Sequence, residues 1–501
     1  MKEARAFNKI AAVFMLIVTL SVFALLFIEK VEAEEKDDVI FSETEEKDDE
    51  ICEIQESTEE NDQLKADIAT LRVLAEENQE SQDKTEMTSR DKPASKDSVC
   101  DESGKSTEGT DHKSTNDLKL LCSADISIPI YTQEDMKQFP IPENEALKFL
   151  KKLKAGWNLG NTFDAMDEKN GNRGLGYETY WSQARTSKEL IHAIKEAGFN
   201  LVRIPVSWHN HISGNNYTID QKWLNRIHEV AQWIYDEDMY FIINIHHDNS
   251  KQYLFPDMDH YEQSERYISL IWKQIADAFS DFDEHCIFES MNEPRLVGSP
   301  FEWWFNPNAV ECQNAAKCIN GLNQIFVDTV RSSGGNNADR YLLVPGYCGS
   351  PEGVTNSFFS VPEDTAENRI IIEVHAYRPY DFALNLKSTD SSFVPGKDTE
   401  KTNEINAFMN SLYQKFIKNG IPVLIDEFAS LDKKNLQDRV NFTAFYTAAA
   451  SVRGMTCCIW DNHSFTGNGE KLGIIDRNKT EWVFPEIAYA MIENSVTGRG
   501  E

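Results

Sequence analysis

Hydrophobic positions in the last 350 residues fall into short apolar runs separated by longer amphipathic segments. The runs are 155–160, 200–205, 240–246, 286–291, 341–345, 370–375, 422–426 and 455–460. Each is five to seven residues long and rich in branched or aromatic side chains, which predicts buried parallel strands. Between them the apolar residues recur at helical spacing. The segment 187–197 opens on Ser187, ends before Gly198 and sets Leu190, Ile191 and Ile194 on one face. Segments 220–236, 264–279, 314–331, 405–418 and 436–452 behave alike, and only 350–368 is weakly helical. Eight strands, each followed by a crossover, predict a (β/α)8 TIM barrel over residues 143–497. A doubly wound open sheet is the alternative, but no Gly-rich phosphate loop follows the first strand.

The N-terminal part follows a different pattern. Lys2, Arg5 and Lys9 precede an uncharged apolar run over residues 10–28, and Val31-Glu32-Ala33 offers small residues for cleavage. Residues 1–33 read as a secretory signal peptide or, uncleaved, as a membrane anchor through residues 10–28. Either reading makes the protein secreted or extracellular and anchored to the cell surface. Residues 34–125 read as a disordered acidic spacer. Between Glu34 and Leu120 there are 28 acidic and 11 basic residues, and the only aromatic residue is Phe41. Such a stretch cannot bury enough apolar surface to offset its ordering entropy. Its one amphipathic piece, 64–77, predicts a transient helix, too short for a coiled coil. The whole chain carries a formal charge of −33, which argues against nucleic acid or an anionic membrane surface as partner. The chain is expected to act as a monomer.

Nine cysteines without a CxxC pair indicate neither a zinc site nor a full disulfide framework. Cys286, Cys457 and Cys458 read as small core hydrophobes, while the spacing of Cys312 and Cys318 permits a bridge without requiring one.

In a barrel the C-terminal strand ends share one face, and chemistry collects there. The ends here carry Asn158 and Asn161, Arg203, His246-His247-Asp248, Asn292-Glu293, His375 and Tyr377, Glu427, and Trp460-Asp461-Asn462. Glu293 follows the fourth strand and Glu427 ends the seventh, so the two carboxylates can face each other across the mouth. That is the arrangement glycoside hydrolysis requires. Arg203 is a charge inside an apolar strand and needs a carboxylate, for which Glu427 is the evident partner. His246 and His247 lack metal-ligand spacing and are better suited to sugar hydroxyls, with alternation pointing only one of them inward. Trp460 can lay its indole against a pyranose. Trp157, Trp181, Trp208, Trp303 and Trp304 lie in or near the same loops, as cleft lining or as plain packing. Asp426, beside Glu427, is expected to face the helix layer, because adjacent strand residues point to opposite faces.

Seven segments carry a family resemblance. They are Gly156-Trp-Asn-Leu-Gly-Asn-Thr-Phe-Asp164, Val202-Arg-Ile-Pro-Val206, Asn244-Ile-His-His-Asp248, Ile287-Phe-Glu-Ser-Met-Asn-Glu-Pro-Arg295, Val374-His-Ala-Tyr377, Asp426-Glu-Phe428 and Ile459-Trp-Asp-Asn462. Together they resemble glycoside hydrolase family 5, in particular the clostridial-type endoglucanases of subfamily 4. The resemblance implies a retaining endo-β-1,4-glucanase that uses no metal or other cofactor and acts on β-glucan polysaccharide. It implies Glu427 as nucleophile, Glu293 as acid/base, Arg203 as support for the nucleophile and Asn292 as partner of the sugar 2-hydroxyl. His246, His375, Tyr377 and Trp460 match the remaining shell. Glu293 is expected to have a raised pKa while Glu427 is ionised. The family usually has Gly before the nucleophile, where this chain has Asp426, and often Gly after the Phe, where it has Ala429. Xyloglucanase, lichenase or mannanase activity stays open as an alternative, as does a non-catalytic glucan-binding surface protein.

Overall fold

The computed structural model describes residues 114–498, apart from Glu168, Asn170 and Asn172. The apolar run over 10–28, the acidic stretch up to residue 113 and the amphipathic piece 64–77 lie outside the described residues. Among the described residues no helix is long and apolar enough to cross a membrane.

The eight apolar runs form eight strands: β1 (Gly156–Leu159), β2 (Leu201–Ile204), β3 (Tyr240–Asn244), β4 (Cys286–Glu289), β5 (Leu342–Val344), β6 (Ile370–His375), β7 (Val423–Phe428) and β8 (Thr456–Asp461). All pair in parallel and in chain order, and β8 returns to β1 to close the barrel. Every residue in them is buried, so the strands are apolar on both faces except where chemistry intervenes. Two short hairpins, Ile212–Ser213 with Thr218–Ile219 and Ile475–Asp476 with Glu481–Trp482, stand apart from the barrel.

The helices of the described chain are α1 (Ser114–Leu121), α2 (Glu145–Lys152), α3 (Lys188–Glu196), α4 (Gln221–Asp236), α5 (Tyr261–Ala278), α6 (Val310–Ser332), α7 (Pro351–Thr355), α8 (Tyr380–Ala383), α9 (Thr399–Lys415), α10 (Leu436–Ser451) and α11 (Pro485–Asn494). Side-chain caps start some of them: Ser187 accepts the Leu190 N–H at the head of α3, as expected, and Asn144 does the same for Leu147 in α2, whereas α5, α6, α9, α10 and α11 start without a side-chain cap. The weakly helical stretch after β5 holds only the single turn α7. Helix α2 crosses the N-terminal strand ends. There Phe149 stacks on Tyr341 at 3.5 Å and meets Tyr240 edge-on at 5.5 Å. The barrel interior is therefore sealed below and open to chemistry only above.

The expected spacer over 34–125 needs correction at its end. Helix α1 forms within it and packs on α11, with Leu118 buried. The Ser123 N–H donates to Glu486 Oε1, the Ser127 N–H to Gln437 Oε1 and the Tyr131 N–H to Asn494 Oδ1, each at 2.8 Å. Leu118, Cys122, Ile126, Ile128 and Tyr131 pack against the core here, an apolar set that follows no sustained helix or strand period. The docking also rests on backbone groups bonded to side chains more than 300 positions away.

The seven described cysteines are free thiols. Cys286, Cys457 and Cys458 are core residues, and Cys318 Sγ lies 3.6 Å from Met258 Sδ rather than bridging to Cys312. Cys458 also dictates a glycine: a Cβ at Gly156 would stand 2.1 Å from its sulfur. Gly156→Ala is therefore expected to lower stability by about 1–3 kcal/mol, with partial recovery in Gly156→Ala/Cys458→Gly, read from urea midpoints.

Candidate active site

The site is assembled around Arg203, which is wholly buried on β2. A guanidinium there must satisfy its donors inside the protein. Nη1 donates to Glu427 Oε1 at 2.5 Å and to Asn158 Oδ1 at 3.0 Å. Nε and Nη2 grip Glu289 in a fork at 2.6 Å each, and Nη2 also reaches Asn292 Oδ1 at 2.7 Å. The expected partner, Glu427, is in place, but the bidentate partner is Glu289. Burial works against the charge of Arg203, yet Glu289, Glu427 and Asp426 hold it firmly protonated.

Glu427 ends β7 with its second oxygen accepting from the Tyr377 hydroxyl at 2.9 Å. Glu293 stands opposite, in the loop after β4, and shares His375 with it. His375 Nδ1 is 3.0 Å from Glu293 Oε1 and 3.5 Å from Glu427 Oε2. Carboxylate oxygens of Glu293 and Glu427 approach within 4.8 Å of each other. Asn292, its carbonyl oxygen taken by Arg203, has its amide nitrogen left for a hydroxyl. His246 lies parallel to the Trp460 ring at 5.7 Å, and its Nδ1 meets the Asn244 amide nitrogen at 3.0 Å. Burial holds His246 well below the usual imidazole range, hence neutral. The indole of Trp460 fits because Gly160 has no side chain; a Cβ there would lie 2.7 Å from its ring.

Glu293, Glu427, Arg203, His246, Asn292, His375, Tyr377 and Trp460 thus converge. Asn161 and His247 stand outside this cluster. Asn161 adopts φ 57° and lines a neighbouring cleft of about 560 Å³ with Trp181, Ser464, Phe465 and Glu470. His247 is half-buried beside His246 and Trp181 and is lowered to about 4 by burial. Trp157 and Trp208 are core residues, whereas Trp181, Trp303 and Trp304 are exposed. Arg295 links Trp303 to Glu293: its guanidinium lies 4.0 Å from the indole centroid and 3.7 Å from Glu293 Oε2.

Two expectations fail for identifiable reasons. Asp426 faces the barrel interior, not the helix layer, with Oδ2 3.4 Å from Arg203 Nε. The cause is a bulge in β7. Along β6 the partners run Val374 with Ile425 and then His375 with Glu427; along β8 they run Cys457 with Ile425 and then Ile459 with Phe428. One extra residue lies between the matched pairs on both sides, so the alternation resets and Asp426 and Glu427 both turn inward. Glu293, expected to be raised, is instead lowered to about 2. Burial pushes it up, but the hydrogen bond from His375, the His375 charge and Arg295 outweigh burial. Burial would in turn lower His375, and the charges of Glu427 and Asp426 with the bond to Glu293 raise it to about 9.

Glu289, Glu373 and Glu470 are the carboxylates that the sequence reading passed over. Glu289 and Glu373 had the signal that revealed Arg203, a charge inside an apolar strand. Glu470 comes from the loop after β8 and is raised by burial and by the charges of Glu427 and Glu293.

Comparison with known proteins agrees with this geometry. The family described as Cellulase (glycosyl hydrolase family 5) matches residues 166–466. An Endoglucanase B of Ruminococcus albus is 41% identical over 350 residues, which is 70% of this chain and 80% of that protein. The structure of a mutant family 5 lichenase from Caldicellulosiruptor sp. F32 with cellotetraose is 49% identical with TM-score 0.72, covering 74% of this chain and all of that one. A broad-specificity endoglucanase of subfamily 4 from Ruminococcus champanellensis, holding cellotriose, is 40% identical with TM-score 0.65, covering 71% and 100%.

Burial, which outweighs the opposing pull of Arg203 and His375, raises the Asp426 carboxyl to about 8. An acid raised on folding contributes its stability below its ordinary pKa and loses it as pH climbs to the folded value. Asp426→Asn should therefore gain on the wild type between pH 4 and pH 8, by about 2 kcal/mol or more in urea unfolding. A constant difference across that range would contradict the assignment. With motifs, barrel and paired carboxylates in agreement, the chain belongs to glycosyl hydrolase family 5, with the subfamily 4 endoglucanases among its relatives.

Proposed function

We propose that Glu427 and Glu293 carry out retaining hydrolysis of internal β-1,4 linkages in β-glucan. The observation that carries this reading is the approach of the two carboxylates to within 4.8 Å. Retaining enzymes hold theirs roughly 5–5.5 Å apart, and inverting ones leave a wider gap for water. Glu427, bonded to Arg203 and oriented by Tyr377, attacks the anomeric carbon. Glu293 gives its proton to the departing glycosidic oxygen, which leaves as a hydroxyl. Glu293 then takes a proton from water as that water displaces Glu427 and frees the second product. Asn292 is placed for the 2-hydroxyl, and Trp460 with His246 forms the wall for the sugar at the cleaved bond. The cleft of Asn161, Trp181 and Glu470 extends the site for further glucosyl units.

The chain is a retaining endo-β-1,4-glucanase on this reading, and unbranched glucans, cellulosic or mixed-linkage, are its substrate class. Relatives that bear the names endoglucanase and lichenase support that choice. The charged start and the apolar run over 10–28 support action outside the cell, free or tethered.

Glu427→Ala is expected to cut turnover by roughly a thousandfold or more. Azide should then restore cleavage and release a glycosyl azide of inverted configuration. Near wild-type rates in Glu427→Ala would refute the assignment. The substrate is read from initial rates on carboxymethylcellulose, mixed-linkage glucan, xyloglucan, xylan and galactomannan, with Glu427→Gln as blank. Cleavage confined to xylan or galactomannan would keep the mechanism and move the substrate.

A further inference from the structure

The loop that follows Glu293 turns two tryptophans outward. Trp303 is 60% exposed and Trp304 55%, and the reaction as described uses neither. Large apolar side chains left in water beside a cleft mark a surface that a ligand or partner covers. The two indoles are held differently. Trp304 belongs to its own loop: its Nε1 donates to the Pro300 carbonyl at 3.0 Å, and its ring meets Phe301 at 5.7 Å. Trp303 is held by Arg295, whose guanidinium covers one face of the indole at 4.0 Å. Among the described residues no aromatic ring stacks on the other face.

Arg295 ties this indole to the chemistry. Its Nη1 donates to the Glu293 carbonyl at 3.1 Å and lies 3.7 Å from the Glu293 carboxylate. Its Nε donates to Glu302 Oε1 at 3.5 Å, and Glu302 Oε2 accepts the Gly298 N–H at 2.9 Å. Nη2 carries two more N–H groups, and among the described residues nothing accepts from them. Position decides which part of a substrate comes here. Glu293 gives its proton to the oxygen of the departing sugar, so groups beyond Glu293 face the departing chain. Trp460 and His246 wall the sugar that Glu427 attacks, and Trp303 does not line the cleft of Asn161, Trp181 and Glu470.

We propose that Trp303 and Arg295 form the subsite for the departing part of the chain. A β-linked glucosyl unit stacks on the open face of the indole, and one of its hydroxyls accepts from Arg295 Nη2. The proposal rests on Glu293 being the acid/base and Glu427 the nucleophile. The same subsite takes an acceptor sugar in the second half of the reaction, in place of water. The 4-hydroxyl oxygen of that sugar bonds to the anomeric carbon, the bond from that carbon to Glu427 breaks, and the hydroxyl proton passes to Glu293. The chain is then lengthened instead of hydrolysed. Because Arg295 touches both Trp303 and Glu293, the platform and the acid are fixed relative to each other.

The test measures transfer against hydrolysis. β-Cellobiosyl fluoride has a single atom as its leaving group, so its first step needs nothing on Trp303. Cellobiose in excess then competes with water for one common intermediate. The transfer fraction is the initial yield of cellotetraose per fluoride released. Trp303→Ala should lower this fraction about tenfold. It should also lose more kcat/KM on cellotetraose than on the fluoride. Trp303→Phe should restore part of the transfer. Arg295→Lys, which keeps a charge beside Glu293 without the flat stack, should lower it as well. Trp304→Ala should transfer like the wild type. The fraction is set after the glycosyl group has moved to Glu427, so a smaller folded population does not change it. An unaltered fraction in Trp303→Ala would overturn the platform alone. So would an equal fall in Trp304→Ala, which would assign the effect to the fold of the loop. A wild type that releases no fluoride, or that yields α-cellobiose from it, would overturn the retaining reading and this proposal with it.

Discussion

One buried guanidinium holds the site together. Arg203 sits on β2 and touches side chains from β1, β4 and β7 and from the loop after β4, so four parts of the barrel meet on a single planar group. Its five N–H donors have fixed directions, and each bond constrains where its partner can lie. The nucleophile candidate, the residue beside the acid/base and a structural carboxylate are therefore set relative to one another by one side chain. An ion pair of this kind contributes little net stability, since desolvation consumes most of the attraction. What it supplies is position.

His375 complements it. Arg203 fixes geometry without changing its charge, whereas His375 can change charge, and its two nitrogens face two acidic layers, Glu293 and Glu427 above and Glu373 and Asp426 below. The upper layer opens to the cleft and the lower one is closed by α2. Neutral His246 and His247, lowered by burial, add hydrogen-bonding surface near the sugar without adding positive charge to compete with these two cations.

The barrel was legible in the sequence because each buried parallel strand is a short apolar run between helical patterns, and both signals are local. The convergence of the strand ends follows from topology alone, so Glu293, Glu427, Arg203, His375 and Trp460 stand out in the sequence. Glu289 and Glu373 escaped because the apolar runs extend to residues 291 and 375, which leaves both inside a run rather than at its end, although a carboxylate in Ile287-Phe-Glu289 or Ile372-Glu373 is as conspicuous as Arg203 in Val202-Arg203. The inward turn of Asp426 was not legible, since strict alternation is the default and the bulge that breaks it is a property of pairing with two neighbours. The docking of residues 114–131 was hidden for a similar reason: its partners, Gln437, Glu486 and Asn494, lie at the other end of the chain. The sign of the Glu293 shift depends on a histidine charge set in turn by Asp426 and Glu427, a coupling that single residues do not reveal.

The bulge in β7 has a topological meaning. An open sheet can absorb an extra residue by letting an edge strand slide, but a closed barrel has no edge. The surplus must be stored where it arises, and both neighbouring strands record it at the same place. Strand β7 is thus locked in phase from two sides, and a one-residue deletion cannot be repaired by slippage. It would either open the ring or carry Glu427 out of register with Arg203, so the length of this strand is as much a part of the site as the carboxylate at its end.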